Sequence, residues 1–351
     1  MKRIGVLSCN IHCNFTNYGS ALQSWALTRV IDRIGAGKYE PVLIDYCPPS
    51  HMAYDPLNPM KNMWDKDEQS RRECELSLPA IRDNYDKFDR FYHSQFRLTE
   101  KSYTKADYNE VRDDERLDAF VCGSDTIFCL EEFKGFDDAY YANYDCMQDG
   151  NTIAYAASFG DSRFDEKTYP ILIERLNHFK AVGLREPREI PYLQSHLQVP
   201  CMHTIDPTLL LTGEDYVPII SDRLLDEDYI LLYSRRFNPQ MFAYADELAK
   251  QLNCKVVNIS LRPSYNPEHI MMYGAGVEEF LSLMKYAKHM VTNSFHGLIF
   301  SYHFNCPYTI FTREQAGNKI CDVREMIENN KIEGFRVESL EYLRNALNLV
   351  V

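Results

Sequence analysis

Short, unbroken apolar runs recur along this chain, each giving way to a polar turn and then to a segment with helical spacing. RIGVLSC (3–9), DAFVCG (118–123), IAYAAS (153–158), YILLYS (229–234) and MVTNS (290–294) are apolar at successive positions, not alternate ones. A strand of that kind is buried on both faces, the habit of parallel sheets flanked by helices. Parallel neighbours must be joined by crossovers, and the helical runs between the strands supply them. ALQSWALTRVIDRIGAG (21–37) has apolar residues at helical spacing and stops on glycines, and PVLIDYC (41–47) follows as the next strand. That completes a βαβ unit.

The same rhythm divides the chain. At 351 residues it exceeds what one core usually organises. Residues 1–211 read as one Rossmann-like domain, with further strands at KAVGLRE (180–186) and VPCMHTIDPTLLL (199–211). It is interrupted at about 48–116 by a largely helical insertion rich in proline, methionine and aromatic residues, placed to cap a cleft and to decide which acceptor binds. Residues 212–228 are polar and acidic and read as a linker. A second strand-helix series fills 229–334, including CKVVNIS and CPYTIF, and 335–351 form an amphipathic final helix. The fold class is therefore α/β, with two doubly wound, Rossmann-like domains facing a central cleft, and sites are expected at the carboxyl ends of strands.

Composition excludes several classes. Charged residues are 25% and hydrophobic residues 45%, as in soluble globular chains. No apolar run is long enough for a transmembrane segment. MKRIGVLSCNIHC could imitate a signal peptide, but Asn10, His12 and Asn14 interrupt it and a first buried strand is the better reading. The net charge of −13 comes without a clustered basic face, so no nucleic acid partner is expected. Eleven cysteines, with no C-x-x-C, suit neither a disulfide framework nor a zinc site; a reducing, cytoplasmic setting and no metal are expected.

Four strand ends carry polar residues unlike their surroundings: Asn17-Tyr18-Gly19-Ser20, Gly123-Ser124-Asp125, Ala157-Ser158-Phe159-Gly160 and Asn293-Ser294-Phe295-His296-Gly297. Each puts Gly or Ser at a helix start, where free N–H groups and the helix dipole favour an anion. Tight turning alone explains any single one; four in one chain argue for a ligand cleft. His296 stands where strand hands over to helix. Histidine titrates nearest neutrality and can serve as acid or base. The plainer alternative is a histidine that merely packs or caps, although an imidazolium there would oppose the helix dipole.

The ordered set NYGSALQSWAL, DAFVCGSD, IAYAASFG, VGLRE, DPTLLL and VTNSFHGLIFS resembles the polysaccharide pyruvyl transferase family, over about residues 3–325 outside the insertion. The resemblance implies a GT-B-like fold and transfer of a pyruvyl group from phosphoenolpyruvate to sugar hydroxyls of a surface polysaccharide or its precursor, giving a pyruvate ketal. It implies no cofactor besides phosphoenolpyruvate as co-substrate, and a free or lipid-linked sugar acceptor. It points to His296 as catalytic and to Arg185 as a donor-binding cation, a role that its planar fork suits. A surface arginine paired with Glu186 or Glu189 is the competing reading. Lys319, Arg313 and Arg235 are further candidate cations, with Asn293 and Ser294 beside them. Some members carry arginine where this chain has Ser294. Asn17, Tyr18, Gly19, Ser124, Asp125 and Ser158 are candidate cleft or acceptor residues, Asp125 with a helix N-cap as its alternative role. Two other functions fit the same fold: a glycosyltransferase using a nucleotide sugar, and a non-catalytic sugar- or anion-binding relative.

Overall fold

A computed structural model describes residues 1–9, 16–57, 68–235, 237–260, 266–311 and 317–351. The first sheet contains β1 (Lys2–Leu7), β2 (Tyr39–Leu43), β3 (Ala119–Cys122), β4 (Thr152–Ala157), β5 (Val182–Leu184) and β6 (Cys201–His203), ordered β2-β1-β3-β4-β5-β6. The second contains β7 (Tyr229–Tyr233), β8 (Lys255–Asn258), β9 (Ile270–Met271), β10 (His289–Thr292) and β11 (Tyr308–Ile310), ordered β11-β10-β7-β8-β9. Every pairing is parallel. β3, β4 and β7 are buried at every position, as their uniform apolarity requires.

Strand order locates the sites. In the first sheet the winding reverses between β1 and β3, and in the second between β7 and β10. Crossovers diverge to opposite faces at such points and leave a crevice at the strand carboxyl ends. Ser124 and Asp125 follow β3, and Asn293 to His296 follow β10.

One hydrophobic cluster runs through both halves, from Ile4 and Tyr155 to Leu231 and Phe300. Tyr18 is its joint. The ring is fully buried, stacks on Phe280 at 4.4 Å and 6°, and its hydroxyl donates to the Ala275 carbonyl at 2.6 Å. Among the insertion's described residues, Glu68–Gln95 form one long helix that reaches the second domain. Phe88, Phe91 and Tyr92 enter the shared core, Asn84 donates to Ala275 O at 2.6 Å, and Lys87 reaches Gly274 O at 2.8 Å and Glu279 at 2.9 Å. It braces one domain against the other. Trp64, one of the insertion's aromatic residues, lies outside the described residues. The last helix, Ile332–Asn348, returns to the first sheet, where Tyr342 donates to Ala154 O at 2.8 Å and Arg336 to Leu209 O at 2.7 Å. Residues 212–228 hold short turns of helix over Gly213–Tyr216 and Val217–Ile219. Among the described residues no helix is long and apolar enough to cross a membrane.

Buried titratable groups make stability pH-dependent. The His303 ring, at the end of the helix carrying His296, contacts Thr208 O at 2.8 Å, and burial pushes its pKa down to about 4. His51, packed edge-on against Phe133, is likewise pushed down to about 4 by burial and by Lys134. Both stay neutral in the folded chain while their unfolded counterparts, at about 6.5, take up protons. Their contribution is complete above that value and is lost as pH falls from about 6.5 to 4, at most about 3 kcal/mol each. Asp137, raised to about 6 by burial, opposes part of this loss, because the folded chain holds its proton between about 4 and 6. Melting temperature should therefore drop across this window, and His51→Gln and His303→Gln should each flatten the slope. A pH-independent melting curve would contradict the assignment.

Candidate active site

The first domain's contribution begins with a tight turn after β3. Gly123 has φ of 144°, and a Cβ there would collide with the Tyr155 carbonyl oxygen, so only glycine fits. A cis Gly123–Ser124 peptide follows, and Asp125 takes φ of 73°. Ser124 is fixed on three sides: its N–H donates to Gln23 Oε1 at 3.0 Å, its hydroxyl donates to Ala156 O at 2.6 Å, and that hydroxyl accepts from Arg185 Nη2 at 2.7 Å. Asp125 accepts from the Ser20 hydroxyl at 2.8 Å.

Arg185, one residue past β5, is 6% exposed. Its Nη2 lies 2.7 Å from Asp206 Oδ2 and its Nη1 3.6 Å from Asp125 Oδ1. Its guanidinium carbon lies 5.1 Å from the centre of the Phe295 ring. The surface alternative is thus excluded: Arg185 is buried, and Glu189 bonds Tyr169 and Arg188 instead. Glu186 accepts from the Ser158 hydroxyl and from Phe159 N. Asp206, 1% exposed, is locked at its other oxygen by Thr208 N at 2.9 Å and Thr208 Oγ1 at 2.6 Å.

The second domain brings His296, 7% exposed, on the first turn of helix Phe295–His303. Its Nε2 is 3.5 Å from Asp206 Oδ2. The opposite edge lies against Gly19, where a Cβ would stand 2.6 Å from ring Cγ and 2.7 Å from Cε1. His296 is therefore sandwiched between the first-domain residues Gly19 and Asp206. Lys319, from helix Gly317–Glu328, lies 5.7 Å from the centre of the Phe295 ring, and Asn293 accepts from Arg235 N at 2.8 Å. Among the described residues, Arg185 Nε and Nη1 and His296 Nε2 are buried without a hydrogen-bond partner, so polar capacity is left over where these side chains meet.

Charge sorts the carboxylates into two kinds. Burial pushes both Asp206 and Asp125 up, but Arg185 and His296 more than offset it and hold both below the usual carboxylate range. Burial raises Glu132, helped by Asp125, and raises Glu186 despite Arg185. Burial works against the charge of Arg185, yet Asp206 and Asp125 keep it firmly protonated. Two carboxylates held ionised beside two pushed towards protonation is an arrangement suited to acid–base chemistry.

The remaining sequence candidates distribute as follows. Asn17 caps helix Tyr18–Gly35 through Gly19 N at 3.0 Å, and Ser294 caps the His296 helix through Gly297 N at 3.3 Å. Tyr18 does not line the cleft: its fully buried ring joins the two domains. Asp125 caps no helix and accepts from the adjacent Thr126 N. Arg235 is half-buried beside Glu132, whose charge it eases. Arg313 lies outside the described residues. The sequence offered no signal that singled out Glu132 or Gln23, placed Ser20 in a strand-end motif without a role, named Glu186 only as a possible partner of Arg185, and left Asp206 out of the candidate site. The available signal for Asp206 was an acidic residue just past a strand end and before proline, in a motif noted for another reason.

Gly19 yields a direct expectation. Gly19→Ala places a methyl group on the imidazole, so the ring must move while helix Tyr18–Gly35 tolerates alanine. Activity should fall at least tenfold, roughly what ~1.4 kcal/mol of misplacement costs, with little change in melting temperature. Unchanged activity would show that the ring is not held there.

Two parallel, helix-flanked sheets with a polar site where their carboxyl ends meet define a GT-B-like protein. Within that class, the chain belongs to the polysaccharide pyruvyl transferase family, whose model matches residues 17–314. No curated protein matches the sequence. Among solved structures, a UDP-N-acetylglucosamine 2-epimerase-like protein from Listeria monocytogenes has a TM-score of 0.50 at 10% identity, over 100% of this chain and 92% of that one. The UDP-N-acetylglucosamine 2-epimerase of Rickettsia bellii gives 0.44 at 13% identity, over 91% and 80%. At such identities the likeness concerns the fold alone.

Proposed function

We propose that this protein transfers the pyruvyl group of phosphoenolpyruvate to hydroxyls of a sugar in a surface polysaccharide or its precursor, forming a pyruvate ketal. What supports the reading is His296 beside Asp206, with Arg185 and Lys319 set over the neighbouring Phe295 ring, in a member of this family. Phosphoenolpyruvate has two anionic groups, and the cationic side chains Arg185, Lys319 and Arg235 approach the junction from both domains. In this mechanism His296 gives a proton to the methylene carbon, and the enol π pair forms the new C–H bond. The central carbon becomes oxocarbenium-like, a sugar hydroxyl adds to it, and that hydroxyl's proton returns to the ring. Phosphate departs with its electron pair, a second hydroxyl closes the ketal, and its proton leaves with phosphate. Ser158, Glu186 and Asp125 supply polar groups for an acceptor's hydroxyls. Phosphoenolpyruvate is the only co-substrate required, no resident cofactor takes part, and the reaction belongs in the cytoplasm, where that donor is made.

The test is phosphate release from phosphoenolpyruvate in the presence of free and lipid-linked sugars bearing neighbouring hydroxyls. Acceptor-dependent phosphate release accompanied by a ketal product is the expected result. Turnover of a nucleotide sugar in its place would assign the protein to glycosyl transfer, and absence of any turnover would favour a binding protein.

A further inference from the structure

We propose that Asp206 is the positioning residue of His296: it holds the Nε2 edge of the ring from the opposite domain. Nδ1, in the space that Gly19 leaves free, is then the nitrogen that exchanges the proton. This rests on the reading of His296 as the proton-transferring group.

Three observations lead here. First, Nε2 has no hydrogen-bond partner among the described residues, and Asp206 Oδ2 faces it at 3.5 Å. Distances of this kind commonly shorten when substrate binds. Second, the carboxylate cannot swing away. One oxygen accepts from Thr208 N and Thr208 Oγ1, which fixes the carboxylate, while Oδ2 lies at ion-pair distance, 2.7 Å, from Arg185 Nη2 and has no hydrogen-bond partner among the described residues. Third, the far edge of the ring meets bare backbone. Any side chain at position 19 would occupy the place of Nδ1, so glycine keeps that edge clear. Phe295 packs edge-on against the imidazole at 5.1 Å and limits its rotation.

The proton inventory closes with Nε2–H retained throughout. Nδ1–H gives its proton to the methylene carbon, and the neutral ring takes one back at Nδ1 from the attacking hydroxyl. An ionised partner at Nε2 holds the neutral ring in the Nε2–H tautomer between those two events and supports the imidazolium before the first and after the second. The charged groups around the ring are Asp206 after β6, Arg185 after β5, Asp125 after β3 and Lys319 from helix Gly317–Glu328. Because Asp206 and His296 belong to different domains, the pair forms only when the domains are closed on each other.

The deciding measurement is the tautomer of His296 in the full-length protein labelled with nitrogen-15 histidine. Multiple-bond proton–nitrogen NMR reads it, with His296→Gln identifying the signal. The proposal expects the neutral ring as Nε2–H; a predominant Nδ1–H form overturns it. This reading needs no substrate, so it stands or falls separately from the identity of the donor. The second arm is Asp206→Asn, which keeps an oxygen for Arg185 and removes the charge facing His296. Expected are loss of tautomer selectivity and a kcat about 10–100-fold lower, with KM for phosphoenolpyruvate within about threefold of the parent. An unchanged kcat overturns the proposal. If the variant does not fold, the wild-type tautomer still decides.

Discussion

Replacing His296 with glutamine should lower the proposed pyruvyl transfer by about 10²–10⁴-fold, the usual contribution of a positioned general acid–base, and should leave the fold intact. Glutamine fills much of the imidazole's volume and can still donate towards Asp206, so the 7% exposed site stays packed. What it lacks is a ring nitrogen that can give up a proton and take it back. The loss should appear in kcat more than in KM, because the proposed function gives anion binding to the cations and not to the ring. Measured on the purified variant, a rate within threefold of the parent would remove His296 from the chemistry.

The second large effect concerns stability. Arg185 is the only cation within ion-pair distance of both Asp206 and Asp125 among the described residues. Arg185→Ala leaves those two acids buried without it. Removing one partner of a buried pair costs about 3–5 kcal/mol, and at about 2–4 °C per kcal/mol the melting temperature should fall by roughly 10 °C. Arg185→Lys should restore part of the stability, since it returns the charge. It should not restore the full set of contacts, because an ammonium cannot span Asp206, Asp125 and Ser124 as the planar fork does. Lowering the pH should narrow the difference between Arg185→Ala and the parent. With the arginine present, Asp206 and Asp125 are held below the usual carboxylate range, and the stability this provides is lost only as pH falls through those lowered values. An Arg185→Ala melting temperature equal to the parent's would mean that the pair contributes little.

Both effects trace to residues that differ in how openly the sequence announces them. β4 and β7 could be read directly, since residues apolar at every position are incompatible with an exposed face. His296 could be read because a titratable ring at a strand-to-helix junction stands out from its neighbours. β9, two residues within a methionine-rich stretch, carries no periodicity to read. The bracing role of the insertion was equally hidden, because Lys87 and Glu279 are 192 residues apart and each looks like an ordinary surface charge alone. Asp206 was written into a noted motif, yet its importance comes from Arg185 and His296 converging on one oxygen, a fact of tertiary structure. Asn17 and Ser294 show the reverse case. Polar residues at strand ends suggested ligand contacts, and the structure gives both of them helix caps to make. Local pattern thus identifies elements and chemically able residues, while partnership between domains emerges only on folding.

The proposed reaction protonates phosphoenolpyruvate and transfers the resulting pyruvyl unit to a sugar. Running the reaction in deuterated water and analysing the product by NMR tests it most directly. The expected product is a ketal whose methyl group carries one deuteron from solvent, with no such product from His296→Gln. A product retaining an intact methylene without solvent deuterium, or one carrying a second sugar, would contradict it.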